Sequence, residues 1–150
     1  MIDLEDSVFI HQPVTKVFEY VTNFENNSQW QTGIVTTEMT SAAPFGKGST
    51  YSCVNRFLGF RFESEGVIAE FEPNRICSYR FISGSVSGES SFVFETLNGG
   101  TKFTTLGKLQ LKNLKLAGFW VNRKARQQVR NDLRRLKRIL ENGGLDAFPD

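Results

Sequence analysis

The sequence predicts an α+β fold: a curved antiparallel β-sheet of about seven strands wrapped around a long C-terminal α-helix, with one or two short helices after strand 1. Three observations carry this. Between residues 33 and 111, segments rich in Val, Ile, Thr, Phe and Tyr follow one another with no helical pattern between them. Turn residues separate those segments. One long amphipathic segment, residues 114–141, then closes the pattern.

Residues 4–11 read as the first strand. Pro13 suits the first turn of a helix, where a missing N–H costs nothing. Val14, Val17, Phe18 and Val21 then recur at helical spacing. Asn23, Asn26, Asn27 and Ser28 break that helix, and a second short helix is expected to end at Trp30. Strands follow near 33–41, 49–58, 60–72, 75–83, 89–97 and 101–111. Their turns are Gly46-Lys47-Gly48, Gly59, Pro73-Asn74, Gly84 to Gly88, and Asn98-Gly99-Gly100. Asn98-Gly99 is a strong hairpin signal, because both residue types tolerate positive φ.

Phe60 and Phe62 share one strand face, whereas Val67, Ala69 and Phe71 share the other parity. Gly66 lies at this switch and is expected to mark a β-bulge; Gly107 is a second candidate. In the last segment Val129, Leu133, Leu136 and Leu140 make one apolar stripe, and Arg130, Arg134, Arg135, Lys137 and Arg138 make the outer face. Asn142-Gly143-Gly144 ends the helix, and residues 145–150 read as a frayed tail of a single domain spanning 1–150.

In order and spacing these landmarks are familiar. Phe9-Ile10-His11-Gln12-Pro13 followed by Val17-Phe18-Glu19-Tyr20-Val21, then Asn23-Phe24-Glu25-Asn26 and Trp30, form one group. Gly48 with Tyr51, Glu70-Phe71-Glu72-Pro73-Asn74-Arg75, Gly99-Gly100-Thr101 and the Leu133/Leu136/Leu140 stripe complete it. The chain resembles the polyketide cyclase/dehydrase (lipid transport) branch of the START-like superfamily, also called SRPBCC. The resemblance spans roughly residues 4–141 and implies a helix-grip fold with a deep cavity between the sheet and the C-terminal helix. It also implies a ligand such as a lipid, polyketide or aromatic metabolite. The family shares no universal catalytic residue, so the resemblance implies a pocket and not a reaction.

Composition fits that expectation. The chain of 150 residues holds 14 Phe, 2 Trp and 3 Tyr, enough aromatic surface for a core and a cavity lining. The two cysteines, Cys53 and Cys77, read as buried thiols. His11 is the single histidine, which excludes multi-histidine metal sites, and no metal is expected. Gly46-Lys47-Gly48-Ser49-Thr50 fails the phosphate-loop spacing, and no dinucleotide fingerprint occurs, so no cofactor is expected. The acidic pairs Glu63/Glu65 and Glu70/Glu72 fall opposite apolar residues and read as solvated. Neither a leader nor an apolar run of about 20 residues is evident, so a cytoplasmic location is expected.

Charge is uneven. Residues 1–111 carry 8 basic and 12 acidic side chains, whereas residues 112–141 carry 10 basic and 2 acidic. No nucleic-acid recognition motif accompanies the basic helix, and nucleic acid is not expected as a partner. Transient contact with an anionic membrane surface is compatible with that face, as are a monomer and a homodimer.

The candidate ligand-binding residues are Trp30, Tyr51, Asn55, Phe57, Phe62, Tyr79, Phe81, Phe92, Phe94, Phe103 and Phe119, with Asn122 and Arg126 extending the helix stripe backwards toward the sheet. No catalytic constellation is spelled out. The expected function is binding of a hydrophobic small molecule, as carrier or sensor. The alternative is a cyclase/dehydratase-type enzyme acting in the same cavity.

Overall fold

A computed structural model describes residues 2–111 and 118–142, apart from the side chains of 111, 118 and 119. Strand β1 (Ile2–Ile10) is followed by helix α1 (Val14–Thr22), a 3-10 turn (Phe24–Asn26) and helix α2 (Asn27–Trp30). Strands β2 (Ile34–Met39), β3 (Thr50–Phe57), β4 (Phe60–Glu72), β5 (Ile76–Gly84), β6 (Val86–Leu97) and β7 (Gly100–Leu111) come next, and α3 (Gly118–Glu141) closes the fold. The expected tail, residues 145–150, and the start of the expected closing helix, residues 114–117, lie outside the described residues. No helix among the described residues is long and apolar enough to cross a membrane.

The strands form one antiparallel sheet in the order β1-β7-β6-β5-β4-β3-β2. Strands β2 to β7 are a meander, and β1 pairs with β7 at the far edge. Asn98 and Gly99 turn the β6–β7 hairpin with φ of 49° and 79°, and Leu97 faces Gly100 across it. Pro13 stands just before the first turn of α1 as its N-cap, its carbonyl accepting from the Lys16 and Val17 N–H groups.

Three local expectations are corrected. The turn after β5 is short, because β6 begins at Val86 and Gly88 lies within the strand. In β4 the buried run is Ser64, Gly66 and Ile68, and the parity changes at Ala69, three residues beyond Gly66. Ala69 is the extra residue there, since Ile68 faces Tyr79 while Glu70 faces Ser78. The irregularity at Gly66 belongs to β5, which skips Ile82. Gly66 itself is fixed by packing: a Cβ on it would collide with the Tyr51 ring and hydroxyl. Gly107 makes no bulge, for its register to β1 and β6 is continuous. It makes room for Ser90, whose Oγ would stand 2.9 Å from an added Cβ.

The short helices fill one end of the concave sheet. Phe18 of α1 packs edge-on against Phe94 and Phe71, with ring centroids 4.9 and 5.3 Å apart. Phe24 meets Tyr51 at 5.1 Å, and Trp30 meets Phe103 at 6.0 Å. Leu133, Leu136 and Leu140 of α3 are buried against this cluster. At the other end Val121 and Ala125 pack with Ile2, Phe57, Leu58 and Leu109. The lower part of α3 is tied to β1 by Lys137, whose Nζ donates to the Phe9 carbonyl and to Glu141, each at 2.6 Å.

Candidate functional site

Because the short helices plug one end of the grip, the space left over lies at the other end. A cavity of about 170 Å³ sits between the concave sheet and α3. Inward positions alternate along each strand. Asn55 and Phe57 of β3, Phe62 of β4, Tyr79 and Phe81 of β5, and Phe92 of β6 line it, joined by Trp30 from the end of α2.

The remaining candidates lie elsewhere. Tyr51, Phe94 and Phe103 are buried in the aromatic core under α1 and the 3-10 turn, and do not line the cavity. Asn122 and Arg126 do not face the cavity either. The Asn122 side-chain oxygen accepts from the Asp3 N–H at 3.2 Å, and Arg126 donates to the Asp3 carbonyl at 3.3 Å from an exposed position. On a helix, both i−3 and i−4 are neighbours of a stripe residue. From Val129 the buried stripe steps back by four, to Ala125 and Val121, which rotates Asn122 and Arg126 toward the β1 edge. Phe119 lies outside the described side chains.

The helix contributes a group that the sequence reading passed over. Asp132 is 6% exposed and lines the cavity. It falls three residues after Val129 and one before Leu133, so its place on the stripe was a readable signal: a carboxylate among apolar helix positions. Its Oδ1 accepts from the Thr32 N–H at 3.1 Å and the Thr32 hydroxyl at 2.9 Å. Burial pushes its pKa up to about 6, against the opposing pull of those two bonds and of Arg135.

Other ionisable groups are held neutral. Burial pushes the Tyr79 hydroxyl up to about 12, so it keeps its proton throughout the neutral range. Cys53 and Cys77 are free, buried thiols on strands separated by β4, and burial raises both. Neither lines the cavity. His11 is exposed at the end of β1, where its backbone N–H donates to Glu141 at 2.7 Å. Among the described residues no cluster of three His, Cys, Asp or Glu side chains could hold a metal ion.

Chemically, the arrangement is an aromatic box with a few polar groups, among them Asn55, Tyr79, Ser90, Thr105, Gln128 and Asp132. Asn55 donates through its amide nitrogen to the Ser64 hydroxyl at 2.9 Å. The buried carboxyl of Asp132 stands on the facing helix.

The family model for polyketide cyclase/dehydrase and lipid transport proteins matches residues 1–141. The chain belongs to this family. Family and fold together fit a protein that binds a hydrophobic small molecule, and the curved seven-stranded sheet with its closing helix is the START-like fold. Among solved structures, a START superfamily protein from Mycobacterium smegmatis superposes with a TM-score of 0.80 at 15% identity, covering 93% of this chain and 97% of that one. The Thermus thermophilus protein TTHA0849 gives 0.75 at 15% identity, over 97% and 99% of the two chains. The di-domain ARO/CYC protein BexL gives 0.71 at 16% identity; 99% of this chain matches 48% of that longer one. No curated protein sequence matches significantly.

Proposed function

We propose that this chain binds a small, largely apolar ring compound in the cavity between the sheet and α3, as a carrier or sensor. The observation that supports it is the aromatic lining, in which Trp30, Phe57, Phe62, Tyr79, Phe81 and Phe92 surround one space. Ligand sites are typically apolar hollows with few polar groups. The size narrows the guest. A cavity of about 150 Å³ lined by apolar side chains takes up benzene. At about 170 Å³ this one suits one or two rings, and a long acyl chain or a four-ring polyketide needs it to widen.

Binding without turnover is favoured by the state of the lining groups. Tyr79 is held protonated, and the thiols are outside the cavity. A second reading, a cyclase- or dehydratase-type enzyme, is favoured by Asp132, which can take up or release a proton near pH 6 inside the cavity. The structural neighbour BexL, a di-domain ARO/CYC protein, shares the fold that such a role would use.

Native mass spectrometry of freshly purified protein, with solvent extraction of the bound fraction, tests both readings. A co-purifying ring compound, recovered unchanged after prolonged incubation, supports the carrier. Its conversion supports the enzyme. Failure to retain any compound, even after incubation with one- and two-ring aromatics, contradicts both.

A further inference from the structure

Several polar residues of the cavity lie where residues 31–33 meet β3 and α3, while Tyr79, Ser90 and Thr105 line it from β5, β6 and β7. Gln31, Gly33, Asn55, Arg56, Gln128 and Asp132 all line the cavity there. The Arg56 N–H donates to the Gly33 carbonyl at 2.8 Å. A Cβ on Gly33 would stand 2.5 Å from the Gln128 Nε2 and 3.4 Å from the Arg56 carbonyl oxygen. Thr32, next in line, holds Asp132.

Two acceptors of this group are left over. Both bonds to Asp132 go to Oδ1, and Oδ2 accepts none from the described residues. Asn55 turns its amide nitrogen to Ser64, Phe62 and Cys53, which leaves its carbonyl oxygen to offer a guest. No cation among the described residues pairs with Asp132. Arg56 occupies an exposed, outward position of β3, between the inward Asn55 and Phe57. Its side chain is exposed and makes no ion pair with the carboxylate.

We infer that Asp132 and Asn55 hold the polar end of the ligand, and that this end is a hydrogen-bond donor, a hydroxyl or a protonated amine on a one- or two-ring body, and not a carboxylate. This rests on the cavity reading proposed above. A buried carboxylate is costly unless its remaining lone pairs are satisfied, and a donor on the guest does so with a charge-assisted bond. A carboxylate guest would instead place like charge beside Asp132 in a low-dielectric space.

The pH dependence follows. Arg135 on α3, Arg56 on β3 and Tyr79 on β5 are the charged or titratable groups around Asp132. Tyr79 keeps its proton. Asp132 alone changes state between mildly acidic and neutral pH, so the preference for donors weakens as the pH falls below about 6.

The test is an NMR titration of the whole chain with naphthalene, a naphthol, a naphthylmethylamine and a naphthoate. At pH 7.5 the naphthol and the amine are expected to bind at least about tenfold more tightly than the naphthoate, the scale of one hydrogen bond to a charged group. That advantage is expected to shrink several-fold at pH 5. In Asp132→Asn, which keeps an oxygen for Thr32, it is expected to fall to the few-fold that the Asn55 carbonyl alone supplies. Equal or tighter binding of the naphthoate by the wild type at pH 7.5 overturns the inference, and this comparison needs no variant. So does a donor preference that is undiminished in Asp132→Asn. Saturable binding of naphthalene without any donor preference sinks this inference and leaves the cavity reading standing. Binding of none of the four sinks both.

Discussion

Replacing Asp132 by asparagine should stabilise the protein at neutral pH, although it removes a charged, hydrogen-bonded residue. Burial raises the carboxyl from an ordinary value of 3.8 to about 6 in the folded chain. A carboxyl whose folded value lies above its unfolded one favours the fold while it is protonated. Its contribution is full below about pH 3.8 and is lost as the pH rises through the window from 3.8 to 6. At about 1.36 kcal/mol per pKa unit, the ionised group costs roughly 3 kcal/mol above that window, and about 2 kcal/mol of this develops between pH 4.5 and 7.5. Asparagine retains an oxygen for the two Thr32 bonds and carries no charge to desolvate. Urea denaturation of both proteins at pH 4.5 and 7.5 measures the effect. The variant should gain about 1 kcal/mol at pH 4.5 and up to about 3 kcal/mol at pH 7.5. Other titrating groups cancel in the difference. A variant less stable than wild type at pH 7.5, or a difference that does not change with pH, would refute the reasoning.

Three further outcomes are expected. The Tyr51 hydroxyl is buried with no hydrogen-bond partner among the described residues, so Tyr51→Phe should leave stability unchanged or raise it by about 1 kcal/mol in chemical denaturation. Phe92 is 2% exposed and contacts Trp30, Tyr79 and Phe103; Phe92→Ala should cost about 3–5 kcal/mol and enlarge the cavity, measured by denaturation and by tighter binding of a three-ring guest. Lys137→Ala removes the bond from α3 to the Phe9 carbonyl at the end of β1 and the pair with Glu141 within the helix, and should cost about 1 kcal/mol while speeding hydrogen exchange at the Phe9 end of the strand.

Much of this architecture was legible because its causes are local. Asn98-Gly99 specifies a tight hairpin by its backbone conformations alone. The alternation in β3, with Tyr51, Cys53 and Asn55 buried, and the stripe of Leu133, Leu136 and Leu140 follow from the periods of strand and helix. The departures have tertiary causes. Tyr51, Phe94 and Phe103 share the strand parity of the cavity residues, and what removes them from the lining is where α1 and the 3-10 turn dock. No period in the sequence states that position. Whether Val129 continues back to Ala125 or to Arg126 depends on how α3 is rotated against β1, and both steps satisfy a 3.6-residue period. The bulge at Ala69 has no glycine to announce it. Asp132 was visible on the apolar stripe, but its meaning comes from Thr32, 100 residues away in the chain.

The central claim is that the space between the sheet and α3 is a binding site for a ring-sized apolar guest. The most direct measurement is a methyl-resolved NMR titration with naphthalene. The account predicts saturable shifts at Ile34, Val86, Leu109, Val129 and Leu133, which line the cavity, and none at Val17 or Val21, buried under the other end of the sheet. Shifts that never saturate, or that centre on Val17 and Val21, would contradict it.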